Sequence, residues 1–204
     1  APPPASFDDY VISYMGEIIA QQTEESIWNG AGATGDFQGF LNTNGYLMPT
    51  GANADATVTQ DAASGAYTAA NIIANLQGLT ESMATNISAV LRKDDLHIYM
   101  SPKTYALYVS AVSTLGYVNA YNMNGDYAPV FEGYKIAVCN GMVDNQLIAA
   151  EKSNLFFGTD LLSDATRITL MDMAALDGSD NMRLVARYSG GVQSGVGADI
   201  VRQS

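Results

Sequence analysis

Apolar side chains recur at helical spacing over the first thirty residues of the chain. Four of them follow one another at intervals of three or four residues: Phe7, Val11, Met15 and Ile18. The segment opens at Ser6 with a sequence similar to a capping box, and Asn29-Gly30 supplies a left-handed stop. The pattern predicts one long amphipathic helix from Ser6 to Trp28, about 33 Å in length.

Two further helical regions are predicted in the middle of the chain. Helical periodicity returns between Thr68 and Leu91, and the interruption around Gly78 predicts either two helices or one kinked helix. Ser101-Pro102 then provides an N-cap oxygen and a proline at the first helical position. A helix is therefore predicted to begin there and to end near Gly116.

Strand patterns surround these helices. Strands are predicted at Leu96–Met100, Tyr134–Cys139, Leu147–Ala150, Arg167–Met173, Met182–Tyr188 and Ile200-Val201. Residues 30–61 are rich in Gly, Asn, Thr and Ala and predict loop and edge strand, including the apolar pieces Phe37–Leu41 and Tyr46–Met48. Strands that bracket helices in this order predict an α+β fold.

The segment Met182–Tyr188 alternates between two kinds of side chain. The face predicted to be core carries Met182, Leu184, Ala186 and Tyr188. Arg183 and Arg187 lie on the opposite face, where they suit contact with acidic neighbours, including another copy of this chain. We expect the N-terminal helix to pack across a sheet that contains this segment, because each has an apolar face that needs a partner.

The charge and hydropathy of the chain exclude several classes of function. Its 204 residues carry a formal net charge of −12, from 21 acidic and nine basic side chains. That charge opposes binding to phosphates, so sequence-specific nucleic-acid recognition is not expected. No apolar run approaches the roughly 18 residues that a membrane span needs, so no membrane partner is expected. The acid excess fits either ordinary solubility or a subunit whose copies repel one another until specific contacts form.

No catalytic, cofactor-binding or metal-binding residues are predicted, and an enzyme is not expected. His97 and Cys139 lie in apolar strands without catalytic neighbours, and together they cannot make a structural zinc site. Residues 30–35 match the dinucleotide pattern GxGxxG, but they follow a helix instead of opening one. Five aspartates lack calcium-loop spacing and predict turns: Asp160, Asp164, Asp172, Asp177 and Asp180. A hydrolase with paired carboxylates would leave no sequence motif and stays open.

The order of these elements resembles the major capsid proteins of tailed bacteriophages of the Hong Kong 97 type. The resemblance rests on the long helix with its stop and on Tyr99–Tyr105, Glu132–Val138, Phe157–Leu161 and the strand tail. It implies a structural subunit that self-assembles into pentamers and hexamers of an icosahedral shell around a genome. It also implies a virion protein assembled in the host cytoplasm, whose partners are copies of itself and scaffolding, portal or decoration proteins.

The resemblance further implies how the chain is divided. Residues 6–62 and 151–204 would form a peripheral domain with the long helix as its spine, and residues 63–150 would form an α/β axial domain. An axial loop at residues 119–129 would meet its copies at the centre of each capsomer. Intersubunit contacts are therefore expected at Asn119, Tyr121, Asn124, Asp126, Tyr127, Arg183 and Arg187.

One departure from the family lies before the spine helix. Family members carry an N-terminal arm and an extended hairpin there, whereas Ala1–Ala5 is a polyproline-like linker or truncation point. We therefore expect less than the complete subunit, and no crosslinking contact is carried over. An encapsulin-like nanocompartment shell stays open, and the contents of the particle would distinguish it. A secreted acidic binding module with 12 tyrosines also stays open, and its oligomeric state would distinguish it.

Overall fold

The computed structural model describes residues 7–33, 35–63, 65–115, 129–159, 168–174, 178–179, 181–186 and 189–204. Within these ranges the α-helices are α1 (Phe7–Asn29), α2 (Ile72–Asn86) and α3 (Pro102–Thr114). Short 3-10 turns occupy Lys152–Asn154 and Gly197–Asp199. Helix α1 therefore has the bounds predicted from its apolar periodicity to within one residue.

The strands have the following bounds: β1 Thr59–Asp61, β2 Leu96–Met100, β3 Val130–Phe131, β4 Tyr134–Val138, β5 Leu147–Glu151, β6 Leu155–Thr159, β7 Ile168–Asp172, β8 Met182–Ala186, β9 Gly190–Ser194 and β10 Val201–Gln203. Six of them form one sheet in the order β1-β10-β5-β2-β4-β3. β10 runs parallel to β1 and antiparallel to β5, while β2 runs parallel to β4. This one sheet contains strands from both of the domains predicted above. The division of the chain at residues 63 and 150 stays a prediction.

Both faces of the six-stranded sheet are covered, which explains why every residue of β5 is buried. One face packs against α2 and α3 and carries Ile98, Met100, Ile136, Leu147, Ala149 and Val201. The other face packs against the end of α1 and the loops after it, and carries Tyr99, Ile148, Ala150 and Ile200. On this second face Trp28 contacts the rings of Phe40 and Tyr99, at centroid distances of 5.7 and 5.6 Å. The last turn of α1 is therefore anchored in the core.

The chain turns back sharply after α1, and its backbone caps the C-terminal end of that helix. The Phe40 and Leu41 amides donate to the carbonyl oxygens of Ile27 and Trp28, at 3.0 and 2.7 Å, so these terminal carbonyls of the helix are satisfied. Gly30 is required here because a Cβ atom would clash with the Phe37 carbonyl oxygen. Gly30, the first glycine of the match to a nucleotide fingerprint, thus serves the close approach of the returning loop.

The remaining helices follow their local sequence with one correction. Ser101 accepts a hydrogen bond from the Thr104 amide at 3.2 Å, and Pro102 occupies the first turn of α3, as predicted. Of the two alternatives predicted at Gly78, two separate helices are wrong, because α2 continues through this residue as one helix. Gly78 lies where a Cβ atom would come within 3.4 Å of the Gln203 amide nitrogen, so it is a contact point with β10.

The edge strand predicted between residues 30 and 61 is β1, at the end of that segment and at one edge of the sheet. The apolar pieces Phe37–Leu41 and Tyr46–Met48 form no strand, apart from a single bridge between Ala31 and Gln38. Phe40, Leu41 and Leu47 are nevertheless buried. These pieces contribute to the core from loops. A search for the period-two pattern of strands does not reveal such a contribution.

Buried polar side chains fix β10 between its neighbours. The Arg202 guanidinium donates to the side-chain oxygens of Gln60 and Gln146, at 2.8 and 3.2 Å. Gln203 donates to Asp61 at 3.0 Å, and Tyr67 donates to Gln203. Burial lowers the pKa of Arg202 and raises the pKa of Tyr67. The network joins segments that are 142 residues apart.

Candidate subunit interfaces

Helix α1 presents an exposed stripe along one side. Tyr10, Tyr14, Glu17 and Gln21 follow at intervals of three or four residues, and all four are exposed. The rings of Tyr10 and Tyr14 are stacked with centroids 6.4 Å apart, and the side chains are 65% and 54% exposed. Aromatic side chains with this exposure are typical of contact surfaces. We call these four residues the outer stripe of α1.

The opposite side of α1 is apolar but only half-buried. It carries Val11, Ile12, Met15, Ile18 and Ile19, all of intermediate exposure. α1 lies against β7, which pairs with β8 to form a two-stranded ribbon. The expected contact between the N-terminal helix and a sheet containing Met182–Ala186 is therefore confirmed for the ribbon, whereas residues 187–188 lie outside the described ranges.

The β7–β8 ribbon has two unlike faces, which its register defines. Leu170, Leu184 and Ala186 share one face and are half-buried. The other face carries Thr169, Met171, Arg183 and Val185, and Met171 lies directly opposite Arg183. We call this second set the outer face of the ribbon. The prediction that Met182 lies in a core is wrong: it is 54% exposed, because it lies at the end of the ribbon, opposite the exposed Asp172.

A second ribbon, β6–β9, exposes aromatic rings near the end of α1. Phe157 contacts Phe37 at a centroid distance of 6.0 Å, and its neighbour Phe156 points to the other side and is 54% exposed. Val192, opposite Phe157 in the register, is buried. Consecutive phenylalanines in a strand are visible in the sequence, but the exposure of both, 43% for Phe157, depends on the packing of the ribbon.

Of the residues expected to contact other subunits, the structure describes only Arg183. It lies exposed at the second position of β8. Asn119, Tyr121, Asn124, Asp126, Tyr127 and Arg187 lie outside the described residues, so their contacts stay predictions. The exposed Tyr10, Tyr14 and Met171 were not singled out from the sequence, although the spacing of the two tyrosines was a usable signal.

His97 and Cys139 are both partly buried. His97 Nδ1 lies 2.7 Å from the Asp95 carbonyl oxygen, and burial raises the pKa of the Cys139 thiol to about 11. Among the described residues, no group of three histidines, cysteines or acids is placed to bind a metal ion. In the same part of the chain, none of the helices combines the length and apolarity of a membrane span.

A polar cleft of about 650 Å³ lies between the second half of α1 and the turn after β4. Its carboxylates are engaged: Glu24 accepts from the Asn140 amide at 2.8 Å, and Asp144 accepts from Ser101 and Lys103 at 2.8 and 3.0 Å. The Lys103 bond first and the Ser101 bond second lower the pKa of Asp144. These contacts tie α1 and the start of α3 to the sheet.

Comparison with known proteins identifies the family of this chain. The sequence pattern of the phage capsid family matches residues 3–183, most of the chain. The chain belongs to the phage capsid family. It is a structural protein of the bacteriophage major capsid class, as the resemblance in the sequence predicted. No curated protein matches it at the level required for a relative.

Solved capsid structures share its fold. The capsid of an empty GTA particle aligns with a TM-score of 0.65 at 14% identity, over 98% of this chain and 67% of that chain. A structure from Mycobacterium phage Che8 aligns with a TM-score of 0.59 at 12% identity, over 97% and 63%. The capsid of a native GTA particle gives 0.55 at 14% identity, over 98% and 67%. This capsid protein spans about two thirds of the length of these chains.

Proposed function

We propose that this capsid protein is the shell-forming subunit of an icosahedral bacteriophage particle with a fold of the Hong Kong 97 type. The observation that carries the proposal is the family match over residues 3–183, together with a fold shared over 98% of the chain with a capsid chain. The subunit would form pentamers and hexamers, be assembled in the host cytoplasm and reside in the virion. Scaffolding, portal and decoration proteins are its further proposed partners.

The elements take proposed places in that shell. Helix α1, with 23 residues, is the spine of a peripheral domain that includes the two ribbons. Residues 63–150 form the axial domain, and the segment that contains Asn119, Tyr121 and Tyr127 meets its copies around the capsomer axis. The exposed stripe of α1 and the exposed methionines and phenylalanines of the ribbons support a subunit with several contact surfaces.

Native mass spectrometry and electron microscopy over a range of protein and salt concentrations test the proposal. We expect oligomers at five and six times the subunit mass of 21.6 kDa. A chain that stays monomeric or stops at dimers under all conditions would contradict it. Particles produced in a bacterial host and enriched in protein cargo instead of nucleic acid would favour the nanocompartment alternative.

A further inference from the structure

We propose that the outer face of the β7–β8 ribbon of one copy docks on the outer stripe of α1 of a second copy. In this contact Arg183 pairs with Glu17, and Met171 packs against the stacked rings of Tyr10 and Tyr14. The inference rests on the proposed shell function, because it names one contact between its subunits.

Each of the two surfaces faces away from its own subunit. The half-buried side of α1 is aliphatic, and β7 lies against α1. On the outer face of the ribbon Thr169, Met171 and Arg183 are exposed, while Val185 is half-buried. The outer stripe and the outer face therefore point in other directions, since residues alternate across a strand and a helix has two sides. One copy cannot bring its own two outer surfaces together without giving up this packing.

The two surfaces are complementary in charge. The sequence of α1 contains five acidic side chains and no basic one. Arg183 is the cation of the outer face, and the described part of the chain places no carboxylate within ion-pair distance of it or any cation within that distance of Glu17. Two other exposed cations are already engaged by carboxylates, Lys93 by Glu151 and Lys103 by Asp144. In a chain of net charge −12, attraction between copies depends on cations such as Arg183.

The two surfaces are also complementary in shape and polarizability. Tyr10 and Tyr14 present a flat aromatic surface, and Met171 presents a flexible thioether next to the planar guanidinium of Arg183. Methionine sulfur and arginine both pack favourably on aromatic rings. Tyrosine, methionine and arginine are enriched at the centres of protein interfaces. A second copy supplies this whole set, so it is the occupant that the observations favour.

A charge exchange tests the proposed pairing. Arg183→Glu and Glu17→Arg should each raise the protein concentration needed for oligomers by about tenfold. Combined in one chain, the two changes should restore most of the loss, because the ion pair is re-formed with its direction reversed. Lys152→Glu changes the net charge as Arg183→Glu does but lies elsewhere on the surface, and it should have a smaller effect. Circular dichroism and the melting temperature verify that each variant is folded.

A disulfide crosslink measures the contact without requiring complete shells. In a Cys139→Ser background, a Tyr14→Cys chain is mixed with a Met171→Cys chain and oxidised. We expect a crosslinked dimer from this mixture, at least about fivefold more than from Tyr14→Cys mixed with Val196→Cys. Val196 is a matched control because it is 53% exposed.

The outcomes separate the contact from the shell function. The docking is overturned if both mixtures crosslink equally, or if the charge exchange does not restore oligomer formation in folded variants. Either result counts even where oligomers of five and six subunits form. Specific crosslinking together with rescue by the exchange supports the docking. If specific crosslinks form but no oligomers larger than dimers appear, the docking stands and the proposed shell function fails.

Discussion

Cys139 illustrates how burial controls the chemistry of a single side chain. The thiol is half-buried just after β4, and burial first and the negative charge of Glu24 second raise its pKa to about 11. The thiolate is the reactive form, so the folded protein holds this cysteine in an inert state at neutral pH.

We therefore predict slow alkylation of Cys139 in the folded protein. At pH 8, iodoacetamide should react about a hundredfold more slowly with the folded than with the urea-unfolded chain, and the folded-state rate should rise with pH toward 11. Mass spectrometry of the labelled chain measures both rates. Equal alkylation rates at pH 8 would contradict the raised pKa of Cys139.

Cys139→Ala should lower the free energy of unfolding by about 1 kcal/mol, and it should abolish no activity.

Asp144 contributes stability that depends on pH. Its folded pKa lies below the ordinary value of 3.8, so the contribution is complete above that value and is lost as the pH falls through the folded pKa. Asp144→Asn should lower the free energy of unfolding by about 0.5 kcal/mol at pH 7, since the pair with Lys103 is partly exposed. Urea titrations at pH 7 and pH 3 should show a smaller difference between variant and parent at pH 3. A difference that grows in acid would refute the assignment.

The Ser101 site also marks the limit of prediction at this scale. The cap contact between Ser101 and Thr104 could be predicted because it spans three residues and follows from the Ser-Pro sequence. The contact between Ser101 and Asp144 could not, because 43 residues separate its partners and only the completed fold brings them together. The exposure of Tyr10 and Tyr14 depends on the fold in the same way.

At the scale of elements, β10 depends on side chains as well as on its backbone pairing. Arg202 is buried, and it joins Gln60 of β1 to Gln146 next to β5. Within the described ranges no carboxylate forms an ion pair with this buried cation, and neutral amide oxygens accept its hydrogen bonds instead.

Replacing this cation should loosen one edge of the sheet. Arg202→Met removes the donors while keeping an apolar stem, and should lower the free energy of unfolding by about 1–3 kcal/mol. Hydrogen exchange should show the loss of protection concentrated in the amides of β1. Arg92→Met, at an exposed position, is the control and should stay within about 0.5 kcal/mol of the parent. Unchanged protection of β1 would show that backbone pairing alone holds it.

The elements themselves were largely readable from local pattern. Helices α1 and α3 and strands β2, β4 and β5 follow their apolar periodicity and their caps. The partly wrong predictions concern α2 and β8, where the outcome depends on distant partners. Gly78 stays in a helix that packs on β10, and Met182 stays exposed at the end of the ribbon. The spacing of apolar residues predicts which side of a helix or strand is apolar, but not which part of the molecule packs against that side.

For the whole molecule, charge sets the conditions of association. Copies with a net charge of −12 repel one another over a distance that shrinks as salt is added. The contacts proposed between outer surfaces act at short range and are opposed by this repulsion at low ionic strength.

We predict that the chain stays monomeric or weakly oligomeric in dilute solution at low salt, and that association increases with ionic strength. Light scattering from about 0.02 to 0.5 M sodium chloride measures this. Closed shells that form readily at the lowest salt would contradict the prediction. An equal series in sodium sulfate controls for effects of ion type, since sulfate also strengthens apolar contacts.

The place of β10 has a consequence for how the protein is made. β1 leaves the ribosome 142 residues before its partner strand, which is about ten seconds or more of translation. Until residue 203 has emerged, the central sheet is missing a strand from its interior, and the core on both faces stays open. The central sheet can therefore close only in chains that have been translated past this strand.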